Sequence, residues 1–259
     1  PDHFGLAKRL RERGVRVVAS PESAAIIEDF GGRLEREQAF FVDFFRRCGL
    51  SKEHAKTVTD LPTAFLPYAP DVETDQTVDP GEELDVGDGT VTVDAVTGHA
   101  AGELVFAYWT DGERRAVVGD IVLPEVTPNP FLQPPTEEGV ERPRMLLAYN
   151  ETLKRLREEG YDRFLPGHGE EIPDPRERID EILAAHEERT EQVRDIVDGP
   201  TTPVEVMNGL FDEMPVTEQY GGMSEAIGHL EVLESRGEVR RRESGDRIVY
   251  DPSTSDSPR

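Results

Sequence analysis

Asp2, His3, His99, Asp120 and His168 are the side chains of this 259-residue chain best suited to chemistry. They lie in four short motifs far apart in sequence: Asp2-His3, Thr97-Gly98-His99, Gly119-Asp120 and Pro166-Gly167-His168-Gly169. Carboxylate and imidazole are donors that a zinc or iron site needs. A ligand in a loop just beyond a strand is held by the rigid sheet behind it, and several such loops on one edge can assemble a metal centre. Each motif alone has a plainer reading. A Gly-His-Gly loop is usually a turn around a partly buried histidine, and a Gly-Asp pair usually a turn. The four together, in this order, are the strongest functional statement in the sequence.

The elements that must position them follow from periodicity. Residues 4–13 read as a short helix closed by Gly14, and 15–19 as a strand. Ser20 is an N-cap with Pro21 in the first turn. It opens a helical stretch to Leu50, interrupted at Gly31-Gly32, and Ser51 with His54 opens a further helix ending before Pro62. The phenylalanines of this insert (Phe30, Phe40, Phe41, Phe44 and Phe45) suit a packed helical hairpin, with an acyl-pocket wall or a dimer contact as the alternative. An acid-rich, solvated loop over 71–83 follows. Strands 84–86 and 90–96 flank the turn Gly87-Asp88-Gly89, and the second leads to His99. Strands 104–109 and 115–118 flank Asp111-Gly112, and the second leads to Asp120.

Beyond Asp120 the proline-rich stretch 124–143 is irregular and borders the expected site mouth. Residues 144–159 form an amphipathic helix closed by Gly160, and Phe164-Leu165 is a short buried strand delivering His168. A long charged helix spans 173–197, ahead of a boundary at Gly199-Pro200. Thr201-Thr202-Pro203 caps a helix to Leu210, and residues 217–236 hold another, broken at Gly221-Gly222. Strands 237–241 and 247–250 surround Ser244-Gly245. Helices followed by a hairpin form a winged-helix pattern. Residues 253–259 read as a disordered tail.

Composition narrows the setting. With 54 Asp and Glu against 29 Lys and Arg, net charge is −25, which suits a high-salt cytoplasm and opposes broad nucleic-acid binding. Apolar content is only 36%, but it is periodic, so a core is feasible. Cys48 is the single cysteine, so no intrachain disulfide forms, and its helical setting makes it a packed thiol in a reducing, cytoplasmic compartment. No run reaches the length of a membrane span. His54, His186 and His229 lie on helical segments and read as surface or packing residues. A Gly-x-Ser-x-Gly elbow is absent, which argues against a serine hydrolase.

The order of the motifs resembles the metallo-β-lactamase superfamily, whose pattern is His-x-His-x-Asp-His followed by a His, a bridging Asp and a last His. Residues Asp2, His3, His99, Asp120 and His168 match the positions present here. Two leading histidines of the first motif, and the strands before them, would lie ahead of Pro1. The resemblance implies an α/β fold, the αββα sandwich with its first strands missing, and a small C-terminal winged-helix-like domain. It implies a catalytic domain at 1–173 with a helical insert at 21–61. A linking helix and winged-helix-like domain would follow at 174–252, then a tail at 253–259.

It also implies a zinc-dependent hydrolase using a metal-bound hydroxide on a small acyl substrate, a thioester or ester. Two zinc ions are expected per full-length chain, with iron or manganese as alternatives. Asp120 would bridge the two. Asp2, His3 and His168 would complete one site, and His99 with the two further histidines the other. Asp2 is also expected to act in catalysis. The chain as written is therefore expected to bind the first metal weakly and to be nearly inactive. Within the superfamily the chain resembles the lactamase-like protein 2 and glyoxylase-type branch, and a homodimer is admitted. Alternatives are a single-strand-specific ribonuclease using Arg236, Arg240, Arg241, Arg242 and Arg247, or a non-catalytic lactamase-like and winged-helix binding module. Iron with sulfur oxidation would point instead to a persulfide dioxygenase.

Overall fold

The computed structural model describes residues 2–137 and 139–253. In chain order it contains α1 (Ala7–Arg11), β1 (Val18–Ala19), α2 (Pro21–Glu28), α3 (Phe30–Arg47) and α4 (Lys52–Asp60). A 3-10 helix (Leu61–Tyr68) leads to β2 (Gln76–Thr77), β3 (Glu83–Val86), β4 (Gly89–Ala95), β5 (Leu104–Thr110) and β6 (Glu113–Gly119). Then come α5 (Met145–Glu158), β7 (Arg163–Pro166), α6 (Pro175–Ile196), α7 (Pro203–Leu210), α8 (Gln219–Ser235), β8 (Val239–Ser244) and β9 (Arg247–Pro252). The class is α/β, as expected. Pro1 and residues 254–259 of the expected tail lie outside the described residues.

Two compact units divide the chain discontinuously. The first comprises Pro1–Arg36, Pro62–Pro128 and Ala148–Leu183; the second comprises Glu37–Leu61, Asn129–Leu147 and Ala184–Arg259. The segment expected as an insert at 21–61 thus contributes to both, as does α6.

The first unit is built on a five-stranded sheet in the order β3-β4-β5-β6-β7. Hairpin pairings are antiparallel from β3 to β6, and β7 joins β6 in parallel. Strands β4, β6 and β7 therefore run in the same direction, and their C-terminal ends lie on one edge of the sheet. The β5–β6 turn takes positive φ at both Asp111 (53°) and Gly112 (83°), the backbone that a two-residue hairpin needs. Helix α5 presents Tyr149, Leu153 and Leu156 as a buried stripe at helical spacing. Its Thr152 hydroxyl accepts the Thr97 N–H at 3.3 Å, and Arg155 donates to the Ala95 carbonyl at 2.9 Å, so the helix holds the loop after β4.

The core of the second unit gathers Phe41, Phe45, Cys48, Met207, Met223, Ile227 and Leu230. The phenylalanine run is thus mainly packing, with Phe41 and Phe45 inside and Phe40 and Phe44 at the margin. Cys48 is the packed thiol expected, and burial pushes it up to about 12, far from thiolate chemistry. Helix α7 begins in a capping box. The Glu205 N–H donates to Thr202 Oγ1 at 3.3 Å, and the Thr202 N–H donates to Glu205 Oε2 at 2.7 Å. Thr202→Ala should cost about 1 kcal/mol, readable as a shifted denaturant midpoint at constant slope.

Several expectations are corrected. The break after α2 falls at Asp29, whose φ of −150° and ψ of 61° leave the helical region, and Gly31-Gly32 lie inside α3. Helix α8 runs unbroken through Gly221-Gly222, although interior glycine costs about 1 kcal/mol against alanine. A Cβ at Gly222 would come within 2.5 Å of Met214 Sδ, so the glycine permits close packing there. The strand expected at 15–19 shrinks to the two residues that pair with β2, and the helix expected over 4–13 to Ala7–Arg11.

Two of the three helical histidines of this unit are packing residues. His186 and His229 are both buried, with ring centroids 6.3 Å apart. Thr190 Oγ1 donates its one proton to the His186 carbonyl (2.8 Å) and so accepts from His229 Nδ1–H (2.8 Å), fixing that tautomer. Burial pushes His186 down to about 4 and His229 to about 3, with His186, Arg189 and Arg236 adding to the second shift. Unfolded, each would titrate near the ordinary 6.5. The unfolded chain then binds more protons than the native one below that value. The stability these groups contribute is present above about pH 6.5 and lost as pH falls towards about 4. Denaturant titrations across this range should show His229→Leu with a shallower acid slope than the natural chain. An identical slope would remove the histidines from the explanation.

Candidate metal centre

Strand β6 ends in a register shift between Val117 and Gly119, and Gly119 has a φ of 54°. That bulge turns the chain so that Asp120 faces inward from the sheet edge. Strand β7 ends at Pro166, and its next N–H, on Gly167, donates to the Gly119 carbonyl at 2.7 Å. Phe164 and Ile172 exchange both backbone hydrogen bonds (3.0 and 2.9 Å) and clip the loop that carries His168. His99 lies in the loop after β4. Three of the expected residues are therefore delivered by three parallel strand ends, as their positions beyond apolar runs implied.

The structure brings all five together. Asp120 Oδ2 lies 3.0 Å from His3 Nε2, 3.5 Å from His168 Nε2 and 3.9 Å from His99 Nε2. Asp2 Oδ2 is 3.3 Å from His168 Nε2 and 3.9 Å from His3 Nε2. The His3 and His168 rings meet edge to face with centroids 5.2 Å apart. Side-chain exposure rises from 8% at Asp120 through 24% at His99 to 46%, 53% and 63% at His3, His168 and Asp2. Asp120 is thus the floor of a site open to solvent at the Asp2 rim. Asp2 is held below its ordinary value. Burial acts against that shift and is outweighed by its own backbone hydrogen bond and the charge of His3.

Whether these residues fit a cation is decided by Asp120. Its Oδ1 is buried and has no hydrogen-bond partner among the described residues, while several imidazole nitrogens crowd its other oxygen. Leaving a buried acceptor unsatisfied costs about 1–3 kcal/mol, more when it is charged. A divalent cation supplies what protein donors do not. Ligand atoms of Asp2, His3 and His168 lie within 4.8 Å of one another, and mixed carboxylate and imidazole donors suit a borderline metal such as zinc. The donor set fits.

Two neighbours escaped sequence reasoning. Glu103 accepts the Ala100 N–H at 2.9 Å and a further backbone hydrogen bond from His99, so it braces the His99 loop. Burial, with a contribution from Asp120, pushes its carboxyl up to about 7 against those hydrogen bonds. Nothing in its place at the start of β5 signals burial. Tyr149, wholly buried, donates its hydroxyl to the Ile121 carbonyl at 2.6 Å beneath the Asp120 loop. The helical stripe Leu146, Tyr149, Leu153 was the available signal for it.

No family model matches the chain. It is 25% identical over 250 residues to the probable metallo-hydrolase YqjP of Bacillus subtilis (strain 168), covering 96% of this chain and 76% of that protein. The crystal structure of the metallo-β-lactamase family protein TTHA1429 from Thermus thermophilus superposes with a TM-score of 0.71 at 25% identity. That match covers 96% of this chain and 75% of the other. The fold is that of the metallo-β-lactamases. A β-lactamase domain protein from Burkholderia ambifaria gives a TM-score of 0.76, again at 25% identity, over 96% of this chain and 72% of its own. These relatives support membership of the metallo-β-lactamase superfamily. No helix among the described residues is long and apolar enough to cross a membrane.

Proposed function

We propose that this metallo-β-lactamase-fold chain is a zinc-dependent hydrolase acting on a small acyl substrate, a thioester or ester. The observation that carries the reading is the convergence of His3, His99 and His168 on Asp120, with Asp2 beside His168 and a buried Asp120 oxygen left without a donor among the described residues. Asp2, His3, Asp120 and His168 would hold one cation, and His99 with Asp120 would contribute to a second. Zinc bound there supplies a water nucleophile ionised near neutral pH and a Lewis acid for the substrate carbonyl.

The chain's own residues do the rest. Asp120, fixed by the β6 bulge and sealed from solvent, presents charge without reorganising. Glu103 and Tyr149 hold the two loops that set His99 and Asp120 in place, which keeps ligand spacing fixed. Asp2, the most exposed of the five, would take and return a proton during turnover.

The ribonuclease reading rests on arginines of the C-terminal hairpin, and many of these have protein partners. Arg236 pairs with Glu187 at 2.5 Å, Arg242 with Asp251, and Arg247 donates to the Gly49 carbonyl. Charge balance accounts for Arg236 and Arg242. The test is metal-dependent turnover: chelated protein reloaded with zinc, manganese or iron, assayed on p-nitrophenyl acetate, an acyl thioester and a single-stranded RNA. Restored ester or thioester cleavage supports the proposal. Cleavage of RNA alone would transfer it to the nuclease reading.

A further inference from the structure

The second unit contains a cavity of about 180 Å³ that shares no residue with the metal centre. Its apolar lining includes Phe40 and Phe44, stacked 5.6 Å apart at 11°, with Ile227 and Ile248. The lining also carries charge. Arg47, Arg142, Arg144 and Arg241 face Glu141, Glu231 and Glu234, four positive charges against three negative, in a chain whose net charge is −25. Three of these arginines already have carboxylate partners. Arg142 pairs with Glu231 at 2.5 Å, both side chains about nine-tenths buried, and its guanidinium lies 4.9 Å from the Phe44 ring centroid. Arg144 pairs with Glu234 at 2.9 Å, and Arg47 with Glu243.

Arg241 differs. Among the described residues its side chain makes no hydrogen bond or ion pair, although its charge acts on Glu231, Cys48 and Tyr250 around the cavity. In so acidic a protein, a guanidinium without a carboxylate, in a cavity also lined by Phe40, Phe44, Ile227 and Ile248, is the uncommitted half of an ion pair.

We propose that this cavity binds a small monocarboxylate with an apolar or aromatic body, its head group on Arg241 and its body against Phe40 and Phe44. The volume lies below the roughly 300–1,000 Å³ of sites for drug-sized ligands and cofactors, which restricts the ligand to about a ring and a head group. Three lining glutamates disfavour a doubly charged head, so carboxylate is preferred to a phosphate monoester. Arginine supplies the paired donors that a carboxylate oxygen pair accepts.

Calorimetric titration of the whole chain with phenylacetate, phenyl phosphate and phenethylamine tests this. Phenylacetate should bind saturably and more tightly than phenyl phosphate, and phenethylamine should not bind. Arg241→Ala and Arg241→Gln, at an exposed strand position, should each keep the natural melting temperature and weaken phenylacetate by about tenfold or more. Failure of phenylacetate to saturate, equal affinity in both variants, or equal binding of phenethylamine would overturn the site. Tighter phenyl phosphate would overturn the carboxylate assignment.

Discussion

Asp120→Asn should abolish tight divalent-metal binding while leaving the metal-free protein as stable as before, or more so. The substitution keeps the shape of the side chain and removes its charge. Outer-shell changes alone typically cost 10–100-fold in metal affinity, so losing the charged ligand at the floor should cost more than about 100-fold. Metal-dependent turnover would fall with it. The stability half of the expectation is the more discriminating. Native Asp120 buries an oxygen with no partner among the described residues and gains one 3.0 Å contact from His3. Burying an unsatisfied group costs about 1–3 kcal/mol, whereas one hydrogen bond contributes about 1. A purely structural aspartate would show the opposite pattern, a lower melting temperature without metal. Parallel melts with and without zinc, alongside metal analysis of dialysed protein, separate the two.

Gly167→Ala should cost about 100-fold in activity without replacing a ligand. A Cβ on Gly167 would overlap Asp120 Oδ1 and come within 2.7 Å of His3 Cε1. Asp120 has little room to yield, because it is buried beyond the β6 bulge, and Gly167 is held by its 2.7 Å hydrogen bond to the Gly119 carbonyl. Displacing a ligand by about 1 Å can cost 10²-fold in rate. Zinc affinity should fall together with turnover, and addition of excess zinc should restore only part of it. Full activity at ordinary zinc would mean that the loop gives way and that ligand spacing is not set there.

The site was more legible than the scaffold around it. Each of His99, Asp120 and His168 follows an apolar run, and strand ends pointing the same way are bound to gather their loops on one edge. The Asp111-Gly112 hairpin turn, with glycine at a position of positive φ, lies between His99 and Asp120 and is legible from sequence alone. Asp2-His3 carries no such strand before it, so only family order placed it, and the 3.0 Å approach of His3 to Asp120 supplies the physical reason. Glycine was the weaker guide. Gly31-Gly32 and Gly221-Gly222 read as breaks, yet both pairs sit within helices, because Asp29 ends α2 first and Met214 closes over Gly222. Local propensity loses to packing at those places. Glu103 shows the same limit from the other side, since burial of a carboxylate is a tertiary fact that leaves no trace in one sequence.

A crystal of this protein grown with zinc and measured at the zinc absorption edge tests the central claim most directly. An anomalous peak should stand among Asp120, His3 and His168, with Asp2 at its open side. A single strong peak elsewhere, or none at stoichiometric zinc, would contradict the account, because these side chains would then have converged for some reason other than a metal.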